Sequence, residues 1–395
     1  MLRVAIVGCG KVADQHVEAI HRISDCQIVS VADRELLMAK QLAERFNVPG
    51  CFSDLNEMLR GCKPDVVHIT TPPQSHFSLA RQCLEFGSHV YLEKPFAVRA
   101  DETEELIRFA DSRGLRMTAG HNYQFTLEML EMRRLAKQGF LGGKPLHLES
   151  YWSYDLCDLS YVGPVLGNRE HWVRQLPGQL FHNIISHGIA KLAEFLDDEL
   201  SELVAIAHQS TYLSQLGVGD VLDELRVVLR DASGTTAFFC FSTGIKTTNQ
   251  LRIYGPANSM IADIISGSLT RKKSQAYKSY LAYVIPSFNE ACEHLRNARL
   301  NLSDFIRRRL YQDFGMKELI ERFYKSIVEQ GSPPIPYREI ILTARIMDEI
   351  FAQIYSGKKS LSCRGTTRPV VNNFALASDR PKTAEPDALR SGADR

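Results

Sequence analysis

Hydrophobic and polar positions follow two different patterns along the chain, and the change falls near residue 122. Before it, short apolar runs alternate with segments of helical periodicity. We predict strands at 3–7, 27–32, 66–70, 89–92 and 116–119, and helices at 12–23, 36–46, 55–59, 77–86 and 101–112. Strands of about five residues alternating with helices are typical of βαβ units and of a parallel sheet buried on both faces.

After residue 122, strands follow one another with few helices between them. We predict a helix at 127–138, a long strand at 145–154, a helix at 180–196, strands at 203–209, 223–230, 235–242 and 250–254, mostly helix over 275–330, and a last helix at 337–355. The turn residues Asp231-Ala232-Ser233-Gly234 separate two of the strands. Consecutive strands without crossover helices favour an antiparallel sheet.

These patterns predict two domains and a tail. Residues 1–122 are expected to form a doubly wound parallel α/β domain that binds a dinucleotide. Residues 123–356 are expected to form an α+β domain for substrate binding and oligomerisation, built on an open, mostly antiparallel sheet, with the last helix able to pack back on the first domain. Residues 357–395 are polar and rich in Arg, Ser, Asp and Pro, which predicts disorder.

Composition narrows the class of protein. A length of 395 residues, with 44% hydrophobic and 24% charged residues, suits two globular domains. A net charge of +1 gives no reason to expect nucleic acid as the main partner. We find no apolar run of about 18 residues, no signal peptide, and no Cys-x-x-Cys pair among nine cysteines. We therefore expect a cytoplasmic protein without a structural zinc site.

The strongest local motif follows the first strand and opens the first helix: Gly8-Cys9-Gly10-Lys11-Val12-Ala13. This G-x-G-x-x-A form suits a dinucleotide, because its glycines allow a tight turn and close approach of a pyrophosphate, and the helix N-terminus offers free N–H groups. An ordinary strand-to-helix turn would explain the glycines alone. Asp33 ends the second strand about 20 residues later, where a carboxylate should accept hydrogen bonds from the adenosine ribose.

The position of Asp33 favours NAD, because its carboxylate would repel the 2′-phosphate of NADP. The adjacent Arg34 would instead pair with that phosphate, so NADP stays an alternative. We therefore assign NAD as the expected cofactor, with both Asp33 and Arg34 at its ribose.

Two further motifs carry a family resemblance: Thr70-Thr71-Pro72-Pro73-Gln74-Ser75-His76 after one strand, and Glu93-Lys94-Pro95 after the next. Together with the glycine motif and His16, they resemble the glucose–fructose oxidoreductase and inositol dehydrogenase family, Gfo/Idh/MocA. The resemblance is close over residues 1–125 and looser to about residue 355. It implies a sugar-type substrate and a cleft between the two domains.

The resemblance implies that Lys94 contacts the substrate hydroxyl and assists proton transfer, and a desolvated lysine beside a cationic ring should have a lowered pKa. A surface lysine paired with Glu93 is the alternative. The resemblance also implies that the cofactor is bordered by Thr71, Pro72, His76, Glu93, Lys94 and Asn122. Asn122 and Phe125 match a family stretch in which Gln124 replaces a common arginine.

A second family stretch corresponds to residues 177–190, where His187 matches the family histidine and Asn183 replaces an aspartate. Spacing i, i+4 puts Asn183 and His187 on one helix face. An asparagine orients a hydroxyl but cannot take its proton, so base duty would fall on His187 or Lys94. His182 would point elsewhere on a regular helix. The family pattern uses no metal, and we expect none; a packed structural histidine is the alternative for His187.

The sequence therefore predicts an NAD(P)-dependent oxidoreductase that moves a hydride to or from a secondary alcohol of a sugar, cyclitol or nucleotide sugar. One alternative is an enzyme that retains NAD and uses transient oxidation for elimination or hydrolysis. Another is a non-catalytic dinucleotide sensor or scaffold. The resemblance implies a homodimer or homotetramer. Basic clusters at 271–273 and 307–309 suit a solvated helix face. The alternatives are a site for a phosphate-bearing substrate, such as a nucleotide sugar, and a membrane surface; we do not expect a membrane partner.

Overall fold

Two β-sheets organise the chain in the computed structural model, which describes residues 1–156, 162–246, 248–274, 280–307 and 314–355. All of these residues lie within one compact unit, Met1–Gly357. The predicted tail at 357–395 lies outside the described residues, as do Arg308 and Arg309 of the second basic cluster.

The first sheet has six parallel strands in the order β3-β2-β1-β4-β5-β6. The strands are β1 Leu2–Val7, β2 Cys26–Ala32, β3 Gly50–Phe52, β4 Val66–Ile69, β5 His89–Leu92 and β6 Met117–Ala119. The helices between them are α1 Lys11–Ile20, α2 Leu36–Phe46, α3 Leu55–Cys62, α4 His76–Phe86 and α5 Ala100–Ser112. The predicted doubly wound fold is confirmed. Strand β3 escaped the prediction because three residues carry too little pattern.

The strand order places a crevice above the first sheet. Strands β2 and β3 lie on one side of β1, whereas β4, β5 and β6 lie on the other. The direction of winding therefore reverses between β1 and β4, and ligands of such sheets bind at the carboxyl ends of strands beside this reversal. The glycine motif follows β1, and the Thr70–His76 and Glu93–Pro95 segments follow β4 and β5 at the same edge.

The second sheet has seven strands in the order β13-β12-β11-β7-β10-β9-β8. They are β7 His147–Ser153, β8 Leu200–His208, β9 Glu224–Asp231, β10 Thr236–Ser242, β11 Asn249–Tyr254, β12 Asn258–Asp263 and β13 Ser268–Lys273. All pairs are antiparallel except β7 with β10. The predicted mostly antiparallel sheet is confirmed, although β12 and the polar edge strand β13 were not predicted, because neither has a clear apolar alternation.

The remaining helices are α6 Leu127–Lys137, α7 Gln179–Ile184, α8 Ser186–Ala193, α9 Thr211–Gln215, α10 Leu281–Ile306, α11 Phe314–Val328 and α12 Tyr337–Tyr355. The single helix predicted at 180–196 is wrong, since it is interrupted at Ile185. Hydrogen bonds from Ile185 N to Phe181 O and from Ile189 N to Ile185 O, at 2.9 and 3.0 Å, still continue across the interruption. Asn183 and His187 therefore remain one turn apart.

Helix α12 contributes to both hydrophobic cores. Its Ile340 packs with the core of the first sheet, and its Ile346 and Phe351 pack with the core of the second. Helix α12 therefore packs on the first sheet as well as on the second, and the division into domains after residue 122 stays a prediction. Within the described part of the chain, no helix is long and apolar enough to cross a membrane.

Candidate active site

The turn after β1 requires glycine at position 8. Gly8 has φ +94°, in the left-handed region. A Cβ there would lie 2.7 Å from Thr71 Cγ2 and 2.8 Å from Thr71 N. Thr70 Oγ1 donates a hydrogen bond to Gly8 O at 2.5 Å. The glycine turn and the segment after β4 are thus packed directly against each other.

Gly10 has a different reason for being small. A Cβ at Gly10 would have no neighbouring atom within 4 Å, so the space in front of this residue is open. Gly10 is also the N-cap of α1, and no side chain caps that helix terminus. The free N–H groups of the first turn therefore face an accessible space, while Ala13 is fully buried against the core. Exposed Lys11 and partly exposed Val12 border the opening.

Asp33 is oriented over the glycine turn by two backbone donors. Its Oδ2 accepts a hydrogen bond from Cys9 N at 2.7 Å, and its Oδ1 accepts one from Glu35 N at 2.9 Å. The carboxylate is therefore fixed at the mouth of the crevice, with exposed Arg34 beside it.

His76 joins the two loops that flank the crevice. One ring nitrogen lies 2.8 Å from Thr71 O and the other lies 3.0 Å from Pro95 O. Burial lowers the pKa of His76 despite these hydrogen bonds. His76 is fully buried, so it lies behind the crevice, whereas Pro72 is exposed and Thr71 is half-buried at its edge.

Glu93 anchors the loop after β5. Its Oε1 lies 3.0 Å from His16 Nε2, and its Oε2 accepts a hydrogen bond from Lys94 N at 3.1 Å. Burial raises the pKa of the Glu93 carboxyl, but the hydrogen bond with His16 and the charge of Lys94 outweigh it, so the pKa is lower than usual. Both carboxylate oxygens of Glu93 are thus hydrogen-bonded within the protein, and the residue is nearly fully buried.

A buried hydrogen-bond chain continues from Glu93 into the core. His16 Nδ1 lies 2.8 Å from His68 Nδ1, and Tyr324 Oη of α11 lies 2.8 Å from His68 Nε2. The ring of Tyr91 stacks on His68 with centroids 4.6 Å apart. Sequence reasoning included His16 only as part of the motif set and missed His68 and Tyr324, because a long-range chain of this kind leaves no local pattern.

Lys94 reaches from the first sheet to the second half of the chain. Its Nζ donates a hydrogen bond to Asn183 O at 3.0 Å. Burial lowers the pKa of Lys94, and the charge of Glu93 offsets this only in part. The alternative of a surface lysine paired through its side chain with Glu93 is not what the structure shows, since it is the backbone N–H of Lys94 that bonds the carboxylate.

His187 lies in a cluster of rings next to Lys94. Its ring stacks on Trp152 with centroids 5.4 Å apart and meets Tyr123 edge-on at 4.8 Å. Burial lowers the pKa of His187 well below its usual value, and the positive charges of Lys94 and Lys191 lower it further. Within the described residues, His187 Nδ1, His121 Nδ1 and Trp152 Nε1 are buried without a hydrogen-bond partner.

Lys191 extends the helix face of Asn183 and His187 by one more turn, and sequence reasoning missed it. The side chain is fully buried. Its Nζ donates to Asn249 Oδ1 at 2.8 Å and lies 4.9 Å from the Trp152 ring centroid. Burial lowers the pKa of Lys191 to about 7. The continued i, i+4 spacing was the signal that would have found it.

Three other predicted positions lie outside this arrangement. His182 stacks on Phe351 with centroids 4.9 Å apart. Asn122 lines a cavity of about 640 Å³ between α6, β13 and α10, to which the glycine turn contributes no residue. Gln124 is buried and donates to Ala190 O at 3.2 Å.

Gln124 replaces an arginine that is common in the family, and the positive charge near this position comes from Arg133 of α6 instead. Arg133 Nε lies 2.5 Å from Glu194 Oε1, and Arg133 Nη2 donates to Gln124 O at 3.0 Å. Gln124 Nε2 lies 3.3 Å from carboxylate oxygens of both Glu194 and Glu339. Burial, together with the charge of Glu194, raises the pKa of Glu339 to about 7. Gln124 thus bridges two acids whose charge Arg133 balances.

The residues at the crevice fit a dinucleotide. Open space over Gly10, an uncapped helix terminus and an oriented carboxylate at Asp33 match the needs of a pyrophosphate and a ribose. Among the described side chains, no group of three or more His, Cys, Asp or Glu is arranged to hold a metal ion.

Comparison with known proteins supports this assignment for the first domain. Residues 2–121 match the oxidoreductase family with an NAD-binding Rossmann fold, GFO_IDH_MocA. The chain is 34% identical to D-glucoside 3-dehydrogenase of Escherichia coli over 142 residues, which cover 36% of this chain and 40% of that protein. It is 33% identical to scyllo-inositol 2-dehydrogenase (NADP(+)) of Bacillus subtilis over 134 residues, or 34% and 41% of the two chains. The matched part thus spans about two fifths of these relatives.

Solved structures show the same fold over most of the chain. The WlbA dehydrogenase from Bordetella pertussis, in complex with NADH and UDP-GlcNAcA, superposes with a TM-score of 0.71 at 16% identity and covers 90% of this chain and 96% of its own. UDP-N-acetylglucosamine 3-dehydrogenase GnnA from Acidithiobacillus ferrooxidans gives 0.66 at 17% identity, covering 90% and 98%. Residues 2–121 thus match the NAD-binding Rossmann domain of this oxidoreductase family, and the solved structures share the fold of about 90% of the chain.

Proposed function

We propose that this protein is an NAD(P)-dependent dehydrogenase or reductase that acts on a secondary alcohol or ketone of a sugar, cyclitol or nucleotide sugar. The observation that carries the proposal is the hydrogen bond of 3.0 Å from Lys94 Nζ to Asn183 O. It places an amine from the dinucleotide-binding half beside the helix that carries Asn183 and His187. The relatives named above act on sugars and inositols, which supports this substrate class.

Lys94 is the group that we assign to proton transfer. Its pKa is lowered by burial, so a larger fraction is neutral near neutral pH and able to accept the proton of a substrate hydroxyl. NAD, when bound, supplies the acceptor for the hydride that leaves the same carbon. In the reverse direction, the protonated Lys94 returns the proton to the alkoxide oxygen.

His187 is assigned to orientation and secondary proton handling. Because its pKa is far below the usual value, the ring is neutral and offers one donor and one acceptor to substrate hydroxyls. The unpartnered nitrogens of His121 and Trp152 lie in the same ring cluster. Several convergent polar atoms among aromatic faces suit a ring with several hydroxyls. Asn183 positions that ring beside Lys94.

Around the cofactor, we assign direct contacts to Gly8, Gly10, Lys11, Val12, Asp33, Arg34, Thr71 and Pro72, whereas the fully buried Ala13 acts indirectly by letting α1 pack closely on β1. His76 and Glu93 hold the loops and so act indirectly. Asn122 is left out of the cofactor contacts, because it lines a different cavity. We also propose a homodimer or homotetramer, since exposed Val204, Ile206 and Val228 occupy the open face of the second sheet. A reducing, cytoplasmic setting suits the free cysteines among the described residues.

The test is Lys94→Met, assayed for NADH formation with a panel of sugars, cyclitols and nucleotide sugars. NAD affinity should stay within about threefold of the parent, while turnover should fall by about 10²–10⁴. Lys40→Met is the matched control, because Lys40 is an exposed lysine of α2 away from the crevice. Unchanged turnover in Lys94→Met with the true substrate would contradict the mechanism.

A further inference from the structure

Helix α10 presents its apolar side chains to solvent. Along Leu281–Ile306, Phe288 is 68% exposed, Leu295 is 62% exposed and Phe305 is 69% exposed. Of the residues in this helix, only Asn297 is buried. A helix on the surface of a globular protein ordinarily turns its apolar stripe inward, so the orientation of α10 is reversed.

The face of α10 that meets the rest of the protein is polar. Glu293 receives Arg271 Nη2 at 2.5 Å, Asn297 Oδ1 accepts from Leu269 N at 3.4 Å, and Asn301 Nδ2 donates to Ser266 O at 2.9 Å. These contacts hold α10 along β13 and the turn before it. The outward direction of the apolar residues therefore follows from specific polar contacts on the opposite side.

Eight exposed apolar residues of α10 repeat with heptad spacing, whereas Tyr283, Leu300 and Ile306 are exposed off this row. Intervals of three and four residues alternate through the whole set, which we name the outer stripe: Leu281, Val284, Phe288, Ala291, Leu295, Ala298, Leu302 and Phe305. All eight are exposed. Apolar residues every 3.5 positions are the pattern by which one helix packs against another through knobs into holes.

The outer stripe is complementary to itself when one copy runs antiparallel to the other. In the register that sets Leu281 against Phe305, Phe288 faces Ala298 and Ala291 faces Leu295. Each small residue then lies opposite a large one, as close packing requires. A parallel pair in register would set Phe288 against Phe288 and Ala291 against Ala291, leaving one layer overfilled and the next one empty.

We propose that α10 is a docking surface for α10 of a second copy of this chain, packed antiparallel along the outer stripe. The surface borders one end of the open face of the second sheet, since Ala298 of the outer stripe lines a cavity of about 520 Å³ together with Arg252 of β11 and Thr270 of β13. The charges favour a helix over an anionic membrane: Arg271 and Lys272 are neutralised by Glu293 and Glu290 at 2.5 and 2.8 Å. Interfacial helices carry an excess of Lys and Arg on the polar face, which Arg296 and Arg299 do not provide beside Glu290, Glu293 and Asp304.

The first test compares the mass of the full chain with that of F288E/L295E by sedimentation velocity. The parent should be a dimer or larger, and the double variant should have half as many subunits with an unchanged circular-dichroism spectrum. Tyr283→Glu is the matched control, because Tyr283 is 85% exposed on the same helix but lies off the outer stripe. A monomeric parent, or a double variant with the parent's mass, overturns the proposal.

The second test uses Cys292, a free and exposed cysteine beside the middle of the outer stripe. In the antiparallel register, the Cys292 side chains of two copies approach each other. A short bismaleimide should therefore join two chains, and Cys292→Ser should abolish that product. Absence of a Cys292-dependent dimer overturns the antiparallel pairing.

A third measurement separates a lipid partner from a second copy. Co-sedimentation with vesicles of phosphatidylglycerol and phosphatidylcholine should leave the parent chain in the supernatant at low salt. Vesicle binding that F288E/L295E removes without any change of mass would identify a membrane as the occupant and overturn the proposal.

Discussion

The Nδ1 atoms of His16 and His68 lie 2.8 Å apart in the core of the first sheet. The direction of their hydrogen bond depends on Glu93 and Tyr324, the two groups at the ends of this row of hydrogen bonds. Glu93 has a lowered pKa and is ionised, so it only accepts, and His16 Nε2 must donate to it. When the His16 ring is neutral, its Nδ1 accepts from His68 Nδ1–H, and His68 Nε2 accepts from the hydroxyl of Tyr324. One proton on each ring satisfies the whole chain.

Replacing Tyr324 by Phe removes the donor at one end. His68 Nε2 would be left buried without a partner, which costs about 1–3 kcal/mol of unfolding free energy. Urea titration measures the loss. Tyr212→Phe is the control, because Tyr212 is 38% exposed and should change stability by less than about 0.5 kcal/mol. Equal unfolding free energies of the two variants would show that the hydrogen bond of the Tyr324 hydroxyl does not stabilise the folded protein.

Gly8 and Gly10 should fail in different ways when changed to Ala. At Gly10 a methyl group meets open space, so Gly10→Ala should fold normally but block the pyrophosphate, weakening NAD binding at least about tenfold. At Gly8 the methyl group would collide with Thr71 at φ +94°, so Gly8→Ala should lose about 1–3 kcal/mol of stability. Calorimetry of NAD binding and thermal unfolding together distinguish the two outcomes. Normal NAD affinity in Gly10→Ala would exclude this turn as the phosphate site.

Asp33 should set the preference between NAD and NADP. Asp33→Asn removes the charge that repels a 2′-phosphate, so the ratio of kcat/KM for NAD to that for NADP should fall at least about tenfold. Glu35→Gln is the neighbouring control, since only its backbone N–H contacts Asp33. A ratio that stays constant in Asp33→Asn would assign cofactor discrimination to other residues.

Lys191 should make stability depend on pH above neutrality. Its pKa is about 7 in the folded chain and about 10.4 in an unfolded one. Between these values the unfolded state binds one more proton, so folding stability rises with pH. The unfolding free energy of the parent should therefore increase relative to Lys191→Met by up to about 1.4 kcal/mol per pH unit. Urea titrations from pH 7 to 10 measure this slope, and parallel curves would show that Lys191 keeps its ordinary pKa.

Sequence patterns located the first half well because its signals are local. The glycine turn, the following helix and Asp33 all belong to one βαβ unit. The alternation of apolar strands with helices predicts the remaining strands and helices of the first sheet. The Lys94–Asn183 contact was accessible only through family resemblance, because 89 positions separate the two residues.

The features that escaped prediction arise from contacts distant in sequence. The bridging role of Gln124 depends on Arg133, Glu194 and Glu339, which come from three separate helical segments. The solvated helix face predicted for the basic cluster at 271–273 is wrong, because these residues end strand β13, where Arg271 and Lys272 pair with Glu293 and Glu290 of α10. Charge patterns of this kind are resolved only when the fold brings the partners together.

Helix α12 supplies side chains to both hydrophobic cores, with Ile340 in one and Ile346 in the other. Rotation of the two sheets relative to each other would therefore break the continuous helix α12 or remove its packing from one of the two cores. The 3.0 Å contact between Lys94 and Asn183 therefore lies between two sheets that share the packing of one helix. Removal of α12 by a protease would therefore expose both hydrophobic cores to water.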